Sequence, residues 1–565
     1  VSGKSSFEKR AFGRRGWLRL VAGIGLLAGS VAIADPSLSD QIDPLFHQWD
    51  TDHTPGCAVG VYRDGKIAYA RGYGLAEIST RRPITPETVF ELASSSKQFT
   101  ATAIALLAED GRVHFDDSIR RSLPALPEVY EPVTLADLMH HTSGLRDYLS
   151  LAPLVGFSGY FSDAQAVGMI AQQQATNFPA ETNYQYSNSN FFLLSQVVRA
   201  VTGQTLSAFA RGAIFAPLGM DHSEFRDDYG HSIDGMAFGY TPADDGYALY
   251  DTTLTMTGDG GVYTSIDDFF RWDENFYHNV LGRGGAALID ELTRPAILKD
   301  GRAIEYALGL RVSSYRGLST VEHSGAFNGY RSILMRFPEH HFSAALLCNT
   351  TEADTNTLAH QIADRLLAPF LSDPPAPVFV SVPDSALQAV TGDYRSDDWL
   401  WATNRWRVTL STDGLSLDIG DGATYPLGAL SERRFLVKSS PDMSLEFSDC
   451  QPGGGCHLHA VLAGDAEARF DRLATAETPL SCDRACGIYH GAEIGQDIEI
   501  GRTGDDWTLS LAGYQTKLTT TADAALVGKL SGLGPFEIRW QPDGSLRLST
   551  DDLRGLRFDL IGGRR

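Results

Sequence analysis

Ser94 and Lys97 are the pair whose types and spacing most directly suggest chemistry. They stand in Phe90-Glu91-Leu92-Ala93-Ser94-Ser95-Ser96-Lys97-Gln98-Phe99, where an apolar run begins that continues to about Glu109 and stops at Gly111. That pattern predicts a helix. Residues three apart on a helix share a face, so Lys97 projects alongside Ser94 within reach of its hydroxyl. A serine hydroxyl is a weak nucleophile until a neighbour accepts its proton, and a helix N-terminus offers N–H groups and a positive dipole end where negative charge develops. Taken alone, Ser and Lys at this spacing occur by chance in most chains of this size, and an N-capping serine beside a solvated lysine is the plainer reading.

Two further stretches change that balance. Tyr186-Ser187-Asn188 precedes an apolar helix, Phe191 to Val201, which ends at Thr202-Gly203; His323-Ser324-Gly325-Ala326 follows a strand-like run and precedes Phe327-Asn328-Gly329-Tyr330. In order and separation the three motifs resemble those of the penicillin-recognising serine enzymes. The Y-x-N element is similar to that of class C β-lactamases, D-aminopeptidases and related esterases. The H-x-G form resembles that of D-aminopeptidases and some family esterases rather than the K-T-G of typical β-lactamases. The resemblance implies that Ser94 is the nucleophile, that Tyr186 exchanges protons with Ser94 and the leaving group, and that Asn188 bonds Lys97 and a substrate carbonyl. It further implies that His323 lines the pocket opposite Tyr186, that Gly325 lets the substrate backbone approach, and that the N–H groups of Ser94 and Ala326 form an oxyanion hole. A phenol serves as a base only where a nearby cation favours its anion, and Lys97 could supply that charge. Other segments, His141-Thr142-Ser143-Gly144-Leu145, Pro217-Leu218-Gly219-Met220 and Gly258-Asp259-Gly260-Gly261, resemble scaffold elements of the same family, which makes His140 and His141 structural.

The elements that must position these groups follow from periodicity. Gly56 to Glu77 alternates apolar and polar residues around Arg63-Asp64-Gly65-Lys66, a hairpin with a tight Asp-Gly turn. Helices and loops predominate from 90 to 300, and strands return at Tyr306 to Val312, Ser332 to Phe337 and Phe342 to Cys348, with a turn at Pro338-Glu339-His340-His341 and a closing helix from about Asp354 to Leu371. Strands from both ends of residues 37–371 are expected to share one antiparallel sheet covered by helices, a β-lactamase-like α/β domain. Pro374, Pro375, Pro377 and Pro383 mark a stiff linker over 372–384. Beyond it, short alternating runs such as Arg407-Val408-Thr409-Leu410 and Glu537-Ile538-Arg539-Trp540 indicate up-and-down antiparallel sheet. Gly392-Asp393-Tyr394 is echoed by Gly487-Ile488-Tyr489, and Arg469-Phe470-Asp471 by Arg557-Phe558-Asp559, so two copies of a small lipocalin-like β-barrel are expected over 385–475 and 476–565.

Residues 1–34 read as an export signal. Six basic residues and one acid flank and precede the apolar run Val21 to Ala34, which ends in Ala32-Ile33-Ala34, an Ala-x-Ala cleavage site. Gly13-Arg14-Arg15-Gly16-Trp17-Leu18-Arg19 resembles the twin-arginine signal. The expected destination is a bacterial periplasm or the exterior, without stable membrane insertion once the signal is removed. The formal net charge of −23 repels phosphate backbones, which argues against a nucleic-acid partner. Six cysteines suit an oxidising compartment: Cys450 with Cys456 and Cys482 with Cys486 each close a small loop, whereas Cys57 and Cys348, in apolar strand-like runs, are expected to be buried and inert. A metal site using the C-terminal thiols with His457, His459 or His490 is the competing reading.

A D-aminopeptidase-like layout implies an exported serine hydrolase that cleaves small peptides or amino-acid amides through a Ser94 acyl-enzyme, with no cofactor and no metal. It implies a barrel loop closing over the site as well. Asp505 and Asp506 are candidate amine-binding acids on such a loop, with exposed turn residues as the plainer reading. A carboxylesterase, a weak β-lactamase or D,D-peptidase, and a cell-wall-binding protein with a vestigial hydrolase domain are the alternatives; assembly into a homodimer stays open.

Overall fold

A computed structural model describes residues 36–157, 159–372, 376–396, 405–420, 423–451, 454–461, 467–473, 480–521, 523–530 and 534–562. Residues 1–34, where an export signal is expected, and the linker residues Pro374 and Pro375 lie outside them.

The Asp64-Gly65 turn joins strands Cys57–Arg63 and Lys66–Tyr73, both turn residues having positive φ, 50° and 73°. Chain-distant strands complete a six-stranded antiparallel sheet in the order Arg311–Tyr315, Leu318–Phe327, Tyr330–Phe337, Phe342–Cys348, Cys57–Arg63, Lys66–Tyr73. The first of these begins at Arg311, later than the sequence pattern suggests, and this leaves Tyr306 in the preceding loop. Side chains alternate between the two faces, so each face collects its own apolar cluster. On one side Val59, Val61 and Leu346 meet Ile42 and Phe46 from helix Pro36–Phe46, and Ile362 from helix Thr355–Leu366, which ends earlier than the expected Leu371. On the other, Ala58 and Leu347 meet Phe99 and Ile104 from helix Lys97–Glu109, Leu194 from helix Asn188–Thr202, and Trp272 from helix Ile266–Glu274. The three motif stretches therefore face one another across this second layer.

Register corrects one expectation. Cys57 pairs directly with Cys348 on the adjacent strand, and the two form a disulfide across 291 residues of chain rather than remaining separate buried thiols. Cys450–Cys456 and Cys482–Cys486 are disulfides as well.

Beyond the linker the chain closes two antiparallel barrels of eight strands each, one running from Gly392–Arg395 to Glu467–Arg472 and the other from Gly487–Gly491 to Leu556–Gly562. Alternation fills each interior, with Trp406 and Val408 inward and Arg407 and Thr409 outward in the first, and Trp507, Leu509 and Leu511 inward in the second. The internal repeat is structural: Tyr394 and Tyr489 open equivalent first strands, and each donates its hydroxyl hydrogen to the carbonyl four residues back, Val390 O at 2.7 Å and Ala485 O at 3.0 Å. The first barrel keeps a separate core, whereas the apolar residues of the second are contiguous with those of the α/β domain.

Candidate active site

Local backbone sets the serine. Ala93, in the residue position before it, has φ 47°, a left-handed conformation that alanine rarely adopts, at the entry to the tight turn Ala93–Ser96 that leads into helix Lys97–Glu109. Ser95 and Ser332 tie this turn to the sheet: Ser95 Oγ donates to His323 O at 2.8 Å, and Ser332 Oγ donates to Leu92 O at 2.6 Å. A Cβ on Gly325 would stand 2.0 Å from Leu92 O and 3.0 Å from Ser94 N, so only glycine lets the His323–Phe327 segment lie this close to the serine. The neighbouring strand Arg311–Tyr315 pairs only as far as Glu322, which leaves the rest of this segment unpaired on that side.

Lys97 is wholly buried and donates three hydrogen bonds, to Ser94 Oγ at 3.1 Å, Asn188 Oδ1 at 2.9 Å and Asp259 O at 2.7 Å. The last acceptor belongs to the glycine-rich turn, held against helix Asn188–Thr202 because Gly258, at φ 115°, leaves no room for a Cβ beside Phe191 O. Burial pulls the lysine pKa down to about 8, against the opposing pull of Asp259 and Asp147. Asn188 is fixed in turn by Asp147, whose Oδ2 accepts from Asn188 N at 2.5 Å.

The Tyr186 ring lies under the lysine, with Nζ 4.7 Å from its centre. Its phenol oxygen is buried and closes no hydrogen bond of normal geometry among the described residues. Burial pushes its pKa well up, and the adjacent Ser94 hydroxyl only partly offsets this, so the resting phenol keeps its proton. His141 packs against the same ring, tilted 36° with centres 4.2 Å apart, its Nδ1 accepting from Asn190 Nδ2 at 2.9 Å and from Ser187 N at 3.2 Å.

His323 stands 6.3 Å from Tyr186, centre to centre. Its Nδ1 lies 2.6 Å from Ser324 O and must carry the proton there, which leaves Nε2 to accept from Tyr306 OH at 2.8 Å. Burial, reinforced by Lys97, drops its pKa to about 3, so the imidazole is neutral.

Ser94, Lys97, Tyr186, Asn188, His323, Gly325 and Ala326 thus come together from three distant stretches of the chain. Other groups at the site are ones that sequence reasoning passed over. Asp259 and Tyr306 hold the site from segments read as scaffold and strand, and Asp147 from a stretch that no motif marked. Asp505 and Asp506 are elsewhere, exposed and paired with Arg502 and Lys517. A barrel loop that reaches the α/β domain beside Tyr186 is Thr550–Gly555. Gln185, the neighbour of Tyr186, donates to Asp551 O at 2.5 Å, Asn177 Nδ2 donates to Asp552 O at 2.9 Å, and Ser150 Oγ donates to Asp552 Oδ2 at 2.7 Å. Behind them Arg146 and Glu493 form a buried ion pair at 2.7 Å.

A serine and lysine at the head of a helix, backed by an antiparallel sheet and faced by a tyrosine, define the β-lactamase and penicillin-binding-protein class of fold. A family model described as Beta-lactamase matches residues 43–367, more than half of the chain, and the chain belongs to that family. The D-aminopeptidase of Gluconobacter oxydans (strain 621H) is 30% identical over 318 residues, covering 56% of this chain and 60% of the relative. Penicillin-binding protein 4* of Bacillus subtilis (strain 168) is 28% identical over 429 residues, covering 70% of this chain and 91% of the relative. Among solved structures, the D-amino acid amidase from Ochrobactrum anthropi SV3 complexed with D-phenylalanine superimposes with a TM-score of 0.51 at 21% identity, covering 59% of this chain and 99% of that one, a likeness of fold. This chain therefore spans less than two thirds of the length of the first of these relatives.

Proposed function

We propose that the protein is an exported serine hydrolase that cleaves amide bonds of small peptides or amino-acid amides, with a D-residue on the acyl side. The observation that carries this reading is the Lys97 ammonium, buried, 3.1 Å from Ser94 Oγ and with its pKa drawn down to about 8, a lysine able to give up its proton near neutrality. In the first step Ser94 Oγ bonds to the carbonyl carbon while its proton passes to neutral Lys97. The N–H groups of Ser94 and Ala326 receive the oxyanion, an effect of about 3–4 kcal/mol per donor. As the C–N bond breaks, Tyr186 gives its proton to the leaving nitrogen, and the lysine cation over its ring stabilises the phenolate left behind. Water then hydrolyses the acyl-serine by the reverse sequence.

Neutral His323 supports an amide or ester substrate over a β-lactam, whose carboxylate asks for a permanent cation at this position. The D-residue rests on the names of the D-aminopeptidase relatives. Three disulfides support passage to an oxidising compartment. The test is release of p-nitroaniline from D-alanine p-nitroanilide with a pre-steady-state burst, absent in Ser94→Ala. Failure to turn over any D-amino-acid amide would remove that substrate class.

A further inference from the structure

Tyr306 is hydrogen-bonded to His323 on the wall of the site, and the reaction above gives it no task. His323 and Gly325 lie two residues apart on strand Leu318–Phe327 and so share one face of it, the face that meets Leu92 O and Ser94 N. The imidazole therefore points into the layer that holds Ser94 and Tyr186, its ring centre 6.3 Å from that of Tyr186. Tyr186 gives its proton to the leaving nitrogen in the proposed reaction, so His323 borders the leaving-group side.

Both ring nitrogens are occupied within the protein. Nδ1 lies 2.6 Å from Ser324 O, and a carbonyl can only accept, so this nitrogen carries the proton. Nε2 keeps its lone pair, and Tyr306 OH donates to it at 2.8 Å. Among the described residues that hydroxyl has no other hydrogen-bond partner. For Nε2 to take a proton the phenol would have to turn and accept. Its own hydrogen, buried amid the rings of Tyr184, Tyr186 and His141, would then lose its acceptor. The charged groups that act on the imidazole, Lys97 and Arg311, are both cations and oppose a further positive charge. Glu305 and Glu322 act on Arg311 instead, Glu305 pairing with it at 2.8 Å. Lys97 is committed to Ser94 Oγ, Asn188 Oδ1 and Asp259 O.

We propose that Tyr306 is a positioning residue that sets leaving-group specificity: by donating to His323 Nε2 it keeps that nitrogen an acceptor, so leaving groups with a carboxylate beside the scissile nitrogen are rejected. This rests on the amide-hydrolase reading and narrows it to amides over free dipeptides. A carboxylate brought against this wall loses its hydration and meets a lone pair already taken and a phenol whose hydrogen is already given. Rejection by an unmet charge of this kind is how a site discriminates without adding a contact to the preferred substrate.

The test compares release of glycinamide from D-alanylglycinamide with release of glycine from D-alanylglycine, which differ by a carboxamide in place of the leaving-group carboxylate. Wild type is expected to prefer the glycinamide compound by about tenfold or more in kcat/KM, a conservative figure for an unpaired desolvated charge. Tyr306→Phe keeps the ring and removes the donor, which leaves Nε2 free to take a proton and meet the carboxylate. The preference is expected to fall about tenfold in this variant, and further as the pH is lowered from about 8 to about 6. Ionisation of Lys97 affects both compounds alike and cancels in the ratio. A purely structural loss slows both compounds equally and leaves the ratio and its pH dependence unchanged. That result overturns the proposal, and so does a wild type that cleaves both equally well. The ¹³Cδ2 resonance of His323, identified by its absence in His323→Asn, separates the two imidazole tautomers and the imidazolium in wild type, and so covers a Tyr306→Phe variant that does not fold. The Nδ1–H tautomer throughout pH 6 to 8 supports the proposal; the Nε2–H tautomer or the imidazolium overturns it. Fluorophosphonate labelling of Ser94 with no Ser94-dependent cleavage of either compound by wild type is the separate failure of the amide-hydrolase reading, and the specificity falls with it.

Discussion

Changing Glu493 to glutamine strips the charge partner from Arg146, whose side chain is 1% exposed. Arg146 donates to Glu493 Oε1 at 2.7 Å, to Gln173 Oε1 at 2.8 Å and to Arg554 O at 2.7 Å, so two neutral acceptors would remain. Breaking one side of a buried pair costs about 3–5 kcal/mol, since the surviving charge stays desolvated. The remaining acceptors put the expected penalty near the lower end, roughly 3 kcal/mol, or about 100-fold in the equilibrium that docks the second barrel. Undocking withdraws Asp551 O from Gln185, next to Tyr186, while the Ser94–Lys97 bond, contained within one turn and helix, is untouched. The assays are urea unfolding of wild type, Glu493→Gln, Arg146→Met and the Arg146→Met/Glu493→Met double variant, with kcat/KM measured on each. Glu493→Gln is expected to lower kcat/KM by about tenfold or more, as misplacement by an ångström does, and still to label fully at Ser94. The double variant should be more stable than the sum of its singles, because neither charge is left alone. A loss under about 1 kcal/mol in Glu493→Gln, or strict additivity in the double variant, would refute the clamp.

Lys97 must be neutral to accept the serine proton, and its pKa lies near 8 rather than the usual lysine value. Activity is therefore expected to rise with pH and level off above about 8, a limb that kcat/KM profiles on the free enzyme report directly; a limb set by His323 would instead lie near pH 3 and leave kcat/KM flat across neutrality. Gly325→Ala places a methyl 2.0 Å from Leu92 O beside Ser94 N. Loss of one oxyanion donor corresponds to about 100- to 1,000-fold in kcat, and a variant with wild-type kcat and an undisturbed melting curve would show that this strand does not border the hole.

The two barrels show how far alternation reaches. A run such as Arg407-Val408-Thr409-Leu410 carries its inward and outward faces in its own sequence, and the paired tyrosines Tyr394 and Tyr489 carry the repeat, because both depend on neighbours within a few residues. Ser94 and Lys97 share a face for the same reason. The apolar neighbours of Tyr306 predict a strand there, whereas the loop that brings its hydroxyl to His323 is fixed by where the sheet stops pairing.

Local order of residue types determined the pairing of Ser94 with Lys97, the Asp64-Gly65 hairpin, the antiparallel α/β domain and the barrels after it. Tertiary structure alone decided that Cys57 meets Cys348, that Arg146 meets Glu493 across the domain boundary, and that loop Thr550–Gly555, rather than Asp505 and Asp506, reaches the neighbourhood of Tyr186. Periodicity records which face of an element is apolar. It carries no record of which distant element that face will meet, since that depends on sheet order, register and the burial of all elements at once.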